Sequence, residues 1–156
     1  MDRLLRGLLA GAVAGAAGTT ALNAITYADM ALRGRPPSRT PEQSVERIAR
    51  TVHLRVPGPP GRRTHRTTGL GALLGMATGT GLGALAGAAR AFGVRLPYPV
   101  GAAATAGLAM LAANGPMTAL KVTDPRRWTP ADWASDVVPH AGYGAVVSAA
   151  LRLLLP

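Results

Sequence analysis

Asp136 and His140 stand four residues apart in a stretch that reads as helix, so a carboxylate–imidazole hydrogen bond is geometrically available. Other polar side chains are embedded in long apolar runs: Thr19, Asn23 and Thr26 in the first, Asn114 and Thr118 in the third, Tyr143 and Ser148 in the last. Polar groups in such surroundings are candidates for function. Asn23, Asn114, His140 and Tyr143 form a candidate polar cluster between helices, suited to a small-solute or proton route. Each also has a structural reading. A Thr hydroxyl can bond a carbonyl of its own helix, Asn23 can bridge two helices, and Asn114 can satisfy backbone groups freed by Pro116. Asp136 and His140 fall in the first turn of their segment, as a cap and an interface residue. No acid is centred in an apolar run, since Asp29 and Asp136 both lie near run ends.

Catalytic signatures are missing. The chain has no HExxH, no GxSxG elbow, no Walker A loop, and no His–carboxylate set at metal-ligand spacing. Gly79-Thr80-Gly81-Leu82-Gly83 has the glycine density of a phosphate loop, but no strand precedes it. The chain has no cysteine, which excludes thiol catalysis, disulfides and Cys-based metal sites. His53 and His65 lie in a basic loop and read as solvated. The expectation is therefore a non-enzymatic protein with no catalytic residue, no metal and no cofactor.

The elements that position these residues follow from the charge pattern. Three runs carry no Lys, Arg, Asp or Glu: 7–28 (22 residues), 67–89 (23) and 96–120 (25). A fourth, 137–151, has 15, and reaches spanning length if Arg152 snorkels and the helix continues through Leu155. About 20 apolar residues cross a bilayer core. A soluble Ala/Gly-rich helical protein is the alternative, but a soluble helix needs a polar face, which these runs lack. The sequence thus predicts an all-α integral membrane four-helix bundle as one domain, with spans at about 4–31, 69–89, 99–120 and 136–155. The apolar start reads as a retained helix, with cleavage after an Ala such as Ala17 as the alternative.

Between the first two spans, 33–66 holds nine arginines. Thr40-Pro41-Glu42-Gln43 is a helix start with Thr40 as cap and Gln43 closing a capping box. Val45, Ile48, Ala49 and Val52 then share one face, which predicts a short amphipathic surface helix. Residues 56–61 (Val-Pro-Gly-Pro-Pro-Gly) read as a stiff extended linker. Pro116 should kink the third span. An interfacial segment, 121–135, carries Arg126, Arg127, Trp128 and Trp133, a pairing of Arg with Trp that anchors at the lipid–water boundary. A capped start at Thr129-Pro130-Ala131-Asp132 predicts a short interfacial helix there.

The most ordered pattern is glycine. Gly71, Gly75, Gly79, Gly83 and Gly87 recur every four residues, and Gly7, Gly11 and Gly15 repeat the theme, continued by Thr19 and Asn23. Residues four apart share a helix face, and glycine lets two backbones touch in lipid, where apolar burial gives no net drive. Gly-zipper packing or self-association is expected, ahead of a glycine-lined pore.

The net charge is +10, from 16 Arg and one Lys against seven acids. No aromatics interleave with the loop arginines, so no nucleic-acid partner is expected. The positive-inside rule counts twelve Lys and Arg on the side of the two long loops against five on the side of the termini. It places both long loops in the cytoplasm and both termini outside.

The layout resembles the YagU-like family of small bacterial inner-membrane proteins. The pieces that carry the resemblance are Gly7 to Gly15, Arg35-Pro36-Pro37-Ser38, and Trp128 and Trp133 leading to Asp136 and His140. It implies a multi-pass inner-membrane protein with a link to stress or acid tolerance. The expected role is a self-associating or accessory membrane protein, partnered by lipid and by a second copy or another membrane protein. The alternative is a small-solute or proton transporter or channel built on the polar cluster.

Overall fold

The computed structural model describes residues 2–156. The fold is helical throughout: α1 (Arg3–Arg33), α2 (Thr40–Thr51), α3 (Pro60–Ala91), α4 (Tyr98–Ala119) and α5 (Pro130–Leu154), with a single 3-10 turn at Pro125–Arg127 and, among the described residues, no strand. α1, α3 and α5 are long and apolar enough to cross a membrane. α4 has 22 residues and no charged side chain, but Pro99, Asn114, Pro116 and its many small residues dilute its apolar content.

Four long helices run up and down. α1 lies between α3 and α5, α4 packs on the other side of α5, and α3 and α4 touch only lightly. Every neighbouring pair is antiparallel: Gly7 meets Gly87 while Gly15 meets Gly79, and Gly101 meets Ser148 while Asn114 meets Asp136. The N-terminus, the α3–α4 loop and the end of α5 therefore gather at one end. The two long connections gather at the other.

Three boundaries differ from the sequence reading. α3 begins at Pro60, nine residues before the expected start at Gly69. The extended linker stops earlier than 61 because Pro60 occupies the first turn, where its missing N–H is harmless, and Arg62, Arg63 and Arg66 continue the helix readily. α5 begins at Pro130 instead of 136. Thr129 and Asp132 cap each other reciprocally, and the helix then runs on without a break, so the expected short interfacial helix is the first turn of α5. At α2 the expected capping box does not form. Thr40 is already helical, and its N–H donates to the Ser38 hydroxyl at 3.3 Å.

The interior is made of small residues. Among the described residues the buried side chains are few: the apolar Tyr143, Val147, Leu151, Ala14 and Ala109, and the polar Thr67, Ser44, His140 and Ser148. Among the described residues twenty-six large apolar side chains are exposed, among them Val13, Leu73, Leu85, Leu108 and Leu111. This inverts the usual arrangement of a water-soluble protein, whose exposed apolar residues are scattered and whose interior holds the large ones.

Candidate functional site

Two helices meet with backbone against backbone along α1 and α3. A Cβ added at Gly7 would lie 2.7 Å from the Gly87 carbonyl oxygen, and one at Gly15 would lie 2.6 Å from that of Gly79. At Gly11 and Gly83 the added carbon would strike the other residue's carbonyl outright. Thr19 extends the contact, its Oγ1 against Gly79 while it donates to the Gly15 carbonyl at 2.9 Å. The five-member series of α3 is thus divided. Gly79, Gly83 and Gly87 face α1, Gly71 faces Pro41 of α2, and Gly75 has nothing within 4 Å.

α5 approaches α1 and α4 with side chains as well as glycines. Gly18 of α1 lies under Val147 and Tyr143, and Gly144 lies against the Ala102 and Ala106 backbone of α4. Tyr143 reaches past α1 to donate its hydroxyl to the Gly79 carbonyl of α3 at 2.6 Å. Gly18 and Gly144 went unremarked in the sequence, where Ser148 stood out only as a polar residue in an apolar run. The small-xxx-small spacing of 144 and 148 was the available signal.

The four members of the predicted polar cluster do not meet in one place. Asn114 Nδ2 donates to Asp136 Oδ2 at 2.8 Å, joining α4 to α5. His140 Nδ1 stands 2.7 Å from the Asp136 carbonyl oxygen and 3.5 Å from its Oδ1. A carbonyl can only accept, so Nδ1 carries the proton in this contact. Asn114, Asp136 and His140 therefore come together around one carboxylate. Tyr143 turns instead to Gly79, and among the described residues no hydrogen bond joins Asn23 to any of them. Two prolines flank the carboxylate. Pro116 withholds a hydrogen bond from the Ala112 carbonyl, and Pro139 from that of Ser135.

Beside this cluster, the end of α1 is pinned. Asp29 pairs with Arg33 at 3.2 Å and Arg35 at 2.5 Å, and Arg33 also donates to Ser135 of α5 at 2.9 Å. Ser135 is a contact the sequence did not reveal, because it depends on how α1 and α5 align. The predicted interfacial anchors adjoin. Trp128 and Trp133 meet edge to face with centroids 5.0 Å apart, and Trp128 Nε1 donates to Thr123 at 2.9 Å. Arg126 binds Asp124 at 3.0 Å and holds its carboxyl below the usual carboxylate range. Arg127 completes the 3-10 turn.

Several hydroxyls take the structural role that sequence allowed them. Thr20 donates to the Ala16 carbonyl and Thr118 to that of Asn114, each within its own helix. Among the described residues, no group of three or more His, Asp or Glu side chains is placed to hold a metal ion. The arrangement is one of helix clamps: a glycine contact, a tyrosine bridge, and one carboxylate tying two proline-containing helices. No family model matches the chain, and neither a curated protein nor a solved structure does so.

Proposed function

We propose that this chain is a non-enzymatic multi-pass protein of a bacterial inner membrane, with four spans held by a glycine zipper and an accessory role beside another membrane protein or a second copy. The observation that carries the reading is the inverted distribution of side chains: large apolar groups outside, glycine and alanine inside. In hydrocarbon that surface is at ease, and backbone contact supplies the attraction. α4 is the fourth span, because 22 helical residues at 1.5 Å each give about 33 Å, close to the thickness of a bilayer core. Gly7, Gly11 and Gly15 of α1 are committed to α3 of the same chain, so association with a partner uses another surface. The layout shared with YagU-like proteins adds stress tolerance as the physiological setting.

The absence of native cysteine makes the test direct. Single cysteines at Gly58, Gly93 and Arg127 are labelled in intact cells and inverted vesicles with an impermeant maleimide. Gly58→Cys and Arg127→Cys should react only from the cytoplasmic side, and Gly93→Cys only from the outer side. Gly93 and Gly58 reacting from one side would remove α3 as a span. Gly93 and Arg127 reacting from one side would remove α4. Recovery of the intact chain from the soluble fraction would overturn the whole reading.

A second reading is favoured by the meeting of Asn114, Asp136 and His140 beside two prolines. Kinked helices and a shared carboxylate suit a gated proton or small-solute route. Proton flux in liposomes that falls at least tenfold in His140→Ala would favour this route over the accessory role.

A further inference from the structure

Five arginines lie at the end where the chain termini and the α3–α4 loop gather: Arg3, Arg6, Arg90, Arg95 and Arg152. They come from opposite ends of the sequence, and the antiparallel pairing of α1 with α3 brings four of them together. Arg3, Arg6, Arg90 and Arg95 line one cleft of about 200 Å³ whose other walls are Ala91, Leu155 and Pro156. Among the described residues no carboxylate pairs with any of the five. Six of the seven acids lie toward the opposite end, and Asp2, the seventh, caps the Leu4 N–H.

Two of these arginines are occupied. Arg90 Nε donates to the Leu155 carbonyl at 2.6 Å, and Arg152 donates to the Leu96 carbonyl at 3.1 Å with its guanidinium over the Tyr98 ring. These bonds tie the α3–α4 side to the end of α5 and fix the walls of the cleft. Arg3, Arg6 and Arg95 donate no side-chain hydrogen bond to the described residues. Like charges gathered at one mouth repel, and an anion between them turns that repulsion into attraction. The first turn of α1 also presents the positive end of its helix dipole there.

We propose that this cleft is an anion site for a phosphate group, and that its occupant is the headgroup of an anionic phospholipid. Guanidinium forks match phosphate oxygens in pairs, and basic pockets between membrane helices hold anionic headgroups. The same stretch of α1 offers an apolar surface, since Leu4, Leu5 and Leu9 are exposed next to Arg3 and Arg6 in the chain. A headgroup in the cleft therefore lays its acyl chains along α1. The proposal rests on the membrane reading above, but its test is scored separately.

The purified full chain in a mild non-ionic detergent is titrated with dioleoyl phosphatidylglycerol, dioleoyl phosphatidylcholine or inorganic phosphate. Bound adducts are counted by native mass spectrometry, and the midpoint of thermal unfolding is followed. Phosphatidylglycerol should bind about tenfold tighter than phosphatidylcholine and raise the midpoint. Arg6→Gln and Arg95→Gln, each at an exposed side chain, should weaken it about tenfold, the loss of one charge-assisted bond. Arg62→Gln and Arg63→Gln, exposed at the opposite end, should change nothing. Equal binding of the two lipids, or equal losses at both ends, overturns the site. Inorganic phosphate matching phosphatidylglycerol keeps the anion site and overturns the lipid as its occupant. Membrane extraction of the same variants reports independently on whether the chain is integral.

Discussion

α1 makes two kinds of contact along about three turns of helix. Through Gly7, Gly11 and Gly15 it presses its backbone on the backbone of α3. At Gly18 it meets the Tyr143 ring and the Val147 methyl of α5. The difference lies in what can yield. A carbonyl oxygen inside a helix cannot move without breaking that helix, whereas an aromatic ring or a methyl can turn to another rotamer. The α3 side of α1 is therefore the rigid half of the molecule, and the α5 side is the adaptable half.

The largest effect should come from the rigid half. Gly83 has Gly11 and Gly15 backbone on its open side, so Gly83→Leu must separate α1 from α3. The loss should exceed the ~1–3 kcal/mol usual for overpacking. Cooperative unfolding in detergent, followed by circular dichroism, should be lost or shifted far downward. An unshifted midpoint would mean that α1 and α3 do not touch through glycine. Ala substitution sharpens the contrast. Gly18→Ala meets only side-chain atoms and should cost about 1–2 kcal/mol, clearly less than Gly83→Ala. If the two costs are equal, the distinction between rigid and adaptable halves fails.

Tyr143→Phe probes a buried polar bridge between the halves. The hydroxyl donates to Gly79, whose carbonyl sits in the rigid contact, from a ring in the adaptable one. The ring is fully buried, so its packing persists and only the hydrogen bond is removed. The expected cost is about 1 kcal/mol by the general scale, and ~0.6 by averages measured in membranes. A loss as large as that of Gly83→Ala would show that the bridge, and not the backbone contact, fixes α3.

The repeat of four told the sequence reader that α1 and α3 each carry a contact face. It did not tell which glycine meets which, because any shift of four residues keeps the pattern. The register shows elsewhere, in Thr19 of α1 over Gly79. The polar cluster was half legible for the same reason. Asp136 and His140 share a helix, so their approach follows from spacing. Asn114 joins them only because α4 lies antiparallel to α5, and Tyr143 leaves them because its hydroxyl reaches past α1 to an acceptor on α3. The arginine cleft was least visible, since Arg3 and Arg6 are over eighty residues from Arg90 and Arg95 and meet through tertiary pairing alone. Helix starts depended on which residue took the cap. Thr129 took it and Thr40 did not, although the two sequences look alike.

The smallest intramolecular effect belongs to Gly75, and it decides what the glycine series is for. It sits in register with Gly71 and Gly79, yet a side chain added there meets nothing within 4 Å. If the series serves only the fold of one chain, Gly75→Leu should leave the unfolding midpoint within about 0.5 kcal/mol of the parent and leave the assembly unchanged. If α3 also meets a second copy, this is where the seam is open, and leucine should lower the association constant without touching the monomer's stability. Analytical ultracentrifugation in detergent, run beside the unfolding curves, separates the two outcomes. Loss of monomer stability would contradict both, because it would place a neighbour of the same chain where α3 is bare. That result would redraw the α1–α3 register by a turn, and with it the pairing that brings the arginines to one cleft.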